Sequence, residues 1–477
     1  MKVRLIEPAP RGMNTFSMIL LPRLGLPIIA STLRQQGHDV RIYAPQIAPV
    51  AWPDVYDADL VGITTTTSTV TDAYRFAEDV RAHGVPVVMG GSHVTFMADE
   101  ALEHADYVGR GEGGEQLMLE LIEALRGERA MESIEGLSFR RDGETVHNAS
   151  RGFCSVLEDL PFPDLSLIHG HENLHTTPMM TSWGCPFNCQ FCSVTALFGR
   201  KYRYRSADSV LAELREKRPR KVFFYDDNLA ANRRRLKELL RRMIAEDVVT
   251  PWSAQVRVDV AKDEELLELM RDSGCVMVYL GLESVNQETL DSYDKHQTVQ
   301  DIVDGVRALH RYGIMSHGMF VVGADSDTRQ TIQDTVDFAK KNGIDTIMLS
   351  ALTPLPGTTT FRELDEQGRI FDKRWEYYDS HHVVFHPAAM SAHELQLEAL
   401  KAYRRFYSRG QWLKYFLTFR FTRLLFQTWG MYIRANWLRN EDNKAFMTSV
   451  REASDRRALA PTRAPDAPEP AAPGSPS

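Results

Sequence analysis

Cys185, Cys189 and Cys192 fall within one short segment, Gly184-Cys185-Pro186-Phe187-Asn188-Cys189-Gln190-Phe191-Cys192, and only Cys154 and Cys275 stand elsewhere. The spacing is C-x3-C-x2-C. Thiolates bind soft metals and iron–sulfur clusters. Three thiolates on a [4Fe-4S] cluster leave one iron open to a substrate or cosubstrate. Zinc is the competing reading. A structural zinc site takes four ligands, often as paired Cys-x2-Cys units, and no fourth Cys or His is near in sequence. Cys154 and Cys275 read as buried, small apolar residues. His381, His382 and His386 offer a metal trio, with an exposed turn as the competing reading.

The triad follows an apolar run at 177–181, the first strand of a series spanning 176–375. Further strands are expected at 221–225, 252–256, 276–280, 319–322 and 346–349. Helices are expected between them, at 207–217, 233–246, 264–273, 287–293, 299–312 and 327–342. About six β/α units predict a partial or full barrel, whose chemistry sits at the C-terminal strand ends. Those ends carry Tyr225-Asp226-Asp227-Asn228, then Gln255 and Arg257, then Gly281-Leu282-Glu283-Ser284. An Asp pair after a strand also serves as a turn or helix cap.

Residues 1–145 show an earlier alternation, with strands at 3–6, 40–43, 60–64, 86–89 and 107–108 and helices at 26–36, 72–83 and 116–125. This predicts a doubly wound, Rossmann-like parallel sheet, hence an α/β fold class, with ligands outside the carboxyl ends of the strands. Three successive strand ends carry Thr64-Thr65-Thr66-Thr67-Ser68-Thr69, Gly90-Gly91-Ser92-His93 and Gly109-Arg110-Gly111-Glu112-Gly113-Gly114-Glu115. Small and hydroxyl residues admit a large ligand and donate hydrogen bonds to it. Ordinary turn chemistry explains any one loop; three at one sheet edge point to a cleft. Residues 146–175 are expected to be a connector, broken by Pro161-Phe162-Pro163 and preceded by the turn Arg141-Asp142-Gly143-Glu144.

Residues 376–455 read as helical. Within them, 399–440 holds nine Lys or Arg, twelve aromatics and no Asp or Glu. Trp412, Tyr415, Phe416 and Phe419 share one helical face, as do Trp429, Ile433 and Trp437. Such a stretch can lie on an anionic membrane surface, or pack its aromatic face on the barrel. The tail 456–477, with six prolines from Pro461 onward, is expected to be disordered.

The chain of 477 residues has a formal net charge of -8, which argues against a general nucleic-acid binder. Five cysteines exclude a disulfide scaffold. No basic head with an apolar stretch opens the chain, and no run of 18 apolar residues occurs. A cytoplasmic, reducing setting is expected, with a peripheral position at the inner membrane face if 399–440 meets lipid.

The triad with Phe191 as its aromatic, placed after the first strand of a β/α series, resembles the radical S-adenosylmethionine enzymes. The resemblance implies a [4Fe-4S] cluster on Cys185, Cys189 and Cys192. It implies S-adenosylmethionine near Phe191, Tyr225, Asp226, Asp227, Gln255, Arg257, Glu283 and Ser284, and a 5′-deoxyadenosyl radical. Gly318-Met319-Phe320-Val321-Val322-Gly323 resembles the family's adenine strand, and Pro354-Leu355-Pro356-Gly357-Thr358 a loop of this subgroup. The N-terminal region is similar to the cobalamin module of the cobalamin-dependent class, through Pro22-Arg23-Leu24-Gly25-Leu26-Pro27 and the later glycine loops. This implies cobalamin near Thr64, Thr65, Thr66, Ser68, Gly90, Gly91, His93, Gly111 and Glu112. The Asp-x-His-x-x-Gly segment that supplies a lower cobalt ligand in methyltransferases and mutases is absent.

Residues 375–385 resemble the stretch after the barrel in members acting on lipid-like substrates, hopanoid methylases among them. The resemblance thus implies a methylase acting on an unactivated carbon of a hydrophobic, terpenoid-like substrate. An electron donor such as flavodoxin or ferredoxin would serve it. Anaerobic Mg-protoporphyrin IX monomethyl ester cyclases share the domain order, so oxidation is the alternative outcome. A sensor that binds the cofactors without turnover is a third reading.

Overall fold

The computed structural model describes residues 1–11, 20–153, 157–293 and 295–459. Cys154 and the segment 460–477 lie outside the described residues. The first sheet comprises β1 (Lys2–Ile6), β2 (Asp39–Tyr43), β3 (Leu60–Thr65), β4 (Val87–Gly91), β5 (Tyr107–Gly109), β6 (Leu137–Arg141) and β7 (Glu144–His147), in the order β2-β1-β3-β4-β5-β6-β7. The first five pair in parallel. Lys2–Ile6 is buried on both faces, with Val3 and Leu5 on one and, on the other, Ile6 and Arg4, which pairs with Asp39 and Asp54. One face lies under the helices Gly25–Gln35 and Gly114–Leu125. The other packs beneath Val70–Ala82 and continues into the core of the second domain.

The hairpin β6–β7 pairs antiparallel with β5, Tyr107 opposite Phe139, so the seven-stranded sheet is mixed rather than purely parallel.

The second domain begins with β8 (Thr177–Met179), followed by a small antiparallel pair, β9 (Ser182–Trp183) and β10 (Arg203–Tyr204). Then come β11 (Val222–Phe224), β12 (Trp252–Val256), β13 (Cys275–Glu283), β14 (Met315–Val322) and β15 (Thr346–Ala351). The six-stranded parallel sheet runs β15-β14-β13-β12-β11-β8, with β8 and β15 as its edges, so the barrel is partial. Side-chain caps set the helix starts: Ser206, Asn232, Asp263 and Thr298 each accept a backbone N–H of the first turn. Cys275 is buried, as expected, and burial pushes its thiol up.

The C-terminal helices Ala392–Phe406, Arg409–Leu417, Phe421–Arg439 and Glu441–Leu459 close the edge at β15. The Tyr407 hydroxyl donates to the Ile347 carbonyl at 2.8 Å and accepts from its N–H at 2.9 Å, which satisfies an edge strand. The last helix passes the expected boundary at 455. Tyr415, Ile433 and Trp437 are buried, but Phe416 and Phe419 are exposed. The 412–419 series is thus divided between the two expected roles. Among the described residues no helix is long and apolar enough to cross a membrane.

The two domains meet through short segments. The Gly357 backbone presses on the Phe96 ring, where a Cβ would lie 2.6 Å away. Trp375 Nε1 donates to Glu100 at 2.8 Å, and the Thr71 hydroxyl donates to Glu376 at 3.0 Å.

Candidate functional site

The cysteine loop lies between β9 and β10, past the end of β8. Gly184 has φ of +80°, and a Cβ there would sit 2.3 Å from the Lys201 carbonyl oxygen, so only glycine fits. The Gly184 N–H donates to Asp227 at 3.1 Å. The Cys192 N–H donates to the Cys189 carbonyl at 3.1 Å, and Cys192 leads into the helix Ser193–Phe198. The Arg257 guanidinium stands 3.9 Å above the Phe187 ring. Phe191 meets Tyr293 edge-on at 4.9 Å. The loop is therefore held from β11, from β12 and from the segment after β13.

All three cysteines are partly buried. Burial raises the pKa of Cys185 and lifts that of Cys192 to about 11. They need added positive charge to ionise, which iron supplies. Among the described residues, no three His, Cys, Asp or Glu side chains gather closely enough for a single metal ion. Around the loop, Asn228 Oδ1, Arg257 Nε and the Tyr293 hydroxyl are buried without a hydrogen-bond partner. A polar ligand such as the amino-acid end of S-adenosylmethionine would satisfy them. Asn228 and Tyr293 were not among the expected cofactor contacts; the one signal was Asn228's place at the end of the Tyr225–Asn228 run.

The strand-end residues divide. Tyr225, deep after β11, has its hydroxyl pKa raised by burial while the Arg23 charge opposes the shift. Gln255 is half-buried on β12. Asp227 holds the cysteine loop, and burial lifts its carboxyl to about 6. Asp226 does not face the site. It is fully buried and accepts from the Thr181 N–H at 3.0 Å and the Thr181 hydroxyl at 2.7 Å, and from Ser182. It fixes the turn after β8. Glu283, at φ of +59°, turns to Lys295 at 2.6 Å, and Ser284 accepts from the Asn286 N–H. Both are engaged within their own loop, and Lys295 had no sequence signal.

The expected cleft lies at the carboxyl edge of the first sheet. Its cavity, about 260 Å³, runs between the helices Gly25–Gln35 and Gly114–Leu125, and Trp183 and Phe198 of the second domain close it. Thr64, Gly90, Gly91, Gly111 and Glu112 line it. Gly91 has φ of +108°, and a Cβ there would lie 2.3 Å from the Thr65 carbonyl oxygen. This glycine rim is a cradle that side chains would fill. With an apolar interior beneath it, the rim fits a large, flat cofactor such as a corrinoid.

Thr65, Thr66, Ser68 and His93 do not line that cavity. The Thr65 hydroxyl donates to the Gly90 carbonyl at 2.9 Å, and Thr66 and Thr69 form a capping box. His93 is buried, 5.0 Å from the Trp375 ring, with Nε2 3.7 Å from Glu100. The described lining offers no imidazole to a metal. Across the cleft, Glu112 pairs with Arg203 of β10.

The histidine trio follows neither expectation. His382 is buried, with Nδ1 2.9 Å from Asp379 and Nε2 3.0 Å from Asn443. His386 is also buried. The segment is an internal hydrogen-bonded strap, neither an exposed turn nor, among the described residues, a metal site.

Residues 179–370 match the Radical SAM superfamily, and residues 19–119 match the B12 binding domain. An uncharacterized methyltransferase of Pyrococcus horikoshii is 32% identical, covering 81% of this chain and 88% of that protein. A bacteriochlorophyllide d C-12(1)-methyltransferase of Chlorobaculum tepidum is 31% identical, over 83% of this chain and 88% of that protein. An anaerobic magnesium-protoporphyrin IX monomethyl ester cyclase of Cereibacter sphaeroides is 31% identical, over 72% of this chain but 59% of that protein. Among solved structures, the cobalamin-dependent S-adenosylmethionine radical enzyme OxsB superposes with a TM-score of 0.70 at 14% identity, over 96% of this chain and 80% of that one.

Proposed function

The chain belongs to the radical SAM superfamily, in the family that joins a B12-binding domain to the radical SAM domain, and on that premise we propose that it methylates an unactivated carbon of a hydrophobic, lipid- or terpenoid-like substrate. Its cofactors are a [4Fe-4S] cluster, S-adenosylmethionine and cobalamin. When bound, they supply a 5′-deoxyadenosyl radical to remove hydrogen and a methyl group to replace it. An unactivated carbon has no acidic proton and no leaving group, so polar catalysis does not reach it.

The chain's own residues bind, orient and enclose. Cys185, Cys189 and Cys192 hold the cluster, on a loop fixed by Asp227, Arg257 and Tyr293. Asn228 and Arg257 offer unsatisfied polar atoms to the cosubstrate. Thr64, Gly90, Gly91 and Gly111 form the corrin cradle. Trp183 and Phe198 line that cradle from the cysteine side, which supports two cofactor sites that face one another.

The observation that supports methylation is that the two relatives spanned to 88% of their own length are both methyltransferases by name. An electron donor such as flavodoxin or ferredoxin, a cytoplasmic setting and a peripheral membrane position suit the same reading. The test is accurate-mass comparison of lipid and pigment extracts from anaerobic cells with and without the gene. A species larger by one CH2, present only with the gene, is expected. A species that gains oxygen and loses two hydrogens assigns the chain to the oxidative outcome.

A further inference from the structure

We propose that the helical hairpin formed by Arg409–Leu417 and Phe421–Arg439 is a docking face for an anionic lipid bilayer. The proposal deepens the peripheral membrane position named under the proposed function, and its test does not depend on methylation. Its first ground is where the exposed apolar surface lies. Twelve large hydrophobic side chains are exposed among the described residues, and eight of them fall between Leu413 and Leu438. They concentrate at the tip: Leu417 is 65% exposed, Phe419 76%, Phe421 60% and Leu425 68%. Scattered exposed apolar residues are ordinary, but a contiguous patch marks an interaction surface.

The second ground is charge. Lys414 and Arg420 are exposed beside this tip, Arg409 is exposed at the start of the same helix, and the whole stretch 399–440 contains no Asp or Glu. On a chain with net charge -8, that local excess is a selected partner signal rather than a general property. Basic residues around an apolar tip complement an anionic headgroup layer over acyl chains. The third ground is the turn. Phe419 joins the two helices at φ of +56°, a left-handed position where Gly or Asn is at ease. A phenylalanine there, turned to solvent, carries conformational cost without an internal contact large enough to offset it.

The hairpin's opposite face is turned to the barrel: Phe426 and Trp429 on the longer helix wall a cavity at the N-terminal ends of the strands, beside Met277 and Tyr279.

The test is flotation of the full chain with vesicles of phosphatidylcholine alone, and of phosphatidylcholine with phosphatidylglycerol. Binding to the anionic vesicles, weakened by salt, is expected. Lys414→Gln with Arg420→Gln should weaken it about 30-fold, from about 1 kcal/mol per basic residue. Phe419→Ser with Phe421→Ser should abolish it, and circular dichroism should report both variants folded, since these side chains are exposed. Failure of the folded chain to bind either vesicle overturns the proposal. A concentration-dependent dimer in sedimentation, broken by the Phe419→Ser/Phe421→Ser variant, overturns it too, because the occupant is then a second copy.

Discussion

Arg203, on the strand that backs the cysteine loop, forms a buried two-pronged ion pair with Glu112, in the glycine loop that rims the N-terminal cleft. The pair ties the strand behind the cysteine loop to the glycine loop across the domain boundary. Both side chains are almost fully enclosed. Their mutual charge therefore offsets a large desolvation cost, and removal of one partner is expensive. Glu112→Ala should lower stability by about 3–5 kcal/mol in urea unfolding. The double variant Glu112→Ala/Arg203→Met should recover part of the loss. An Glu112→Ala loss below 1 kcal/mol on the order-of-magnitude scale of exposed pairs would contradict the tie.

Cys189→Ala should abolish both iron retention and 5′-deoxyadenosine release. Asp227→Ala, which removes the acceptor for the Gly184 N–H, should lower iron content without abolishing it. Iron analysis after anaerobic reconstitution separates the two. Full iron retention by Cys189→Ala would remove the cluster assignment.

Gly91→Ala should empty the corrin cradle. The added carbon would meet the Thr65 carbonyl oxygen at 2.3 Å, at a φ that alanine rarely adopts. The strain is on the order of 1–3 kcal/mol, so the loop must move. Cobalamin retention, read from visible absorbance after gel filtration, should fall sharply. Retention equal to the parent chain would show that the rim does not hold the corrin.

His317 sits inside the partial barrel, its Nδ1 2.6 Å from the Thr346 hydroxyl, and burial lowers its pKa from the ordinary 6.5 to about 4. The folded chain keeps it neutral, whereas the unfolded chain takes up a proton below about pH 6.5. Its contribution is therefore complete above that pH and is lost as pH falls toward 4, by about 3 kcal/mol. Denaturant unfolding of the parent chain and of His317→Gln across this range should show the smaller pH dependence in the variant. Equal slopes would mean that His317 titrates normally.

The strands and helices were legible because the β/α units carry apolar runs bounded by turn residues, with caps such as Ser206, Asn232, Asp263 and Thr298 in the second series. The β6–β7 hairpin was legible as a turn at Asp142-Gly143, but its pairing with β5 was not. That pairing is non-local, and β5 is only three residues long. The cysteine loop was legible because its residue types have few other uses. A carboxylate after a strand reads alike whether it meets a ligand or a backbone, and the fold shows Asp226 accepting from the Thr181 N–H. Likewise only the fold shows the His93 ring against Trp375. For the histidine trio a signal existed. Val383, Val384 and Phe385 between His382 and His386 are an apolar run that an exposed turn would not carry.

The central claim is methyl transfer to carbon by a radical route, and a labelled turnover tests it most directly. The reconstituted chain, supplied with a reductant, S-adenosylmethionine labelled in its methyl group and an extract of cells lacking the gene, should move one labelled methyl into an apolar product. Because one cosubstrate gives the methyl and a second gives the radical, S-adenosylhomocysteine and 5′-deoxyadenosine should accumulate in equal amounts. Accumulation of 5′-deoxyadenosine with an unlabelled, oxidised product and no S-adenosylhomocysteine would contradict the account.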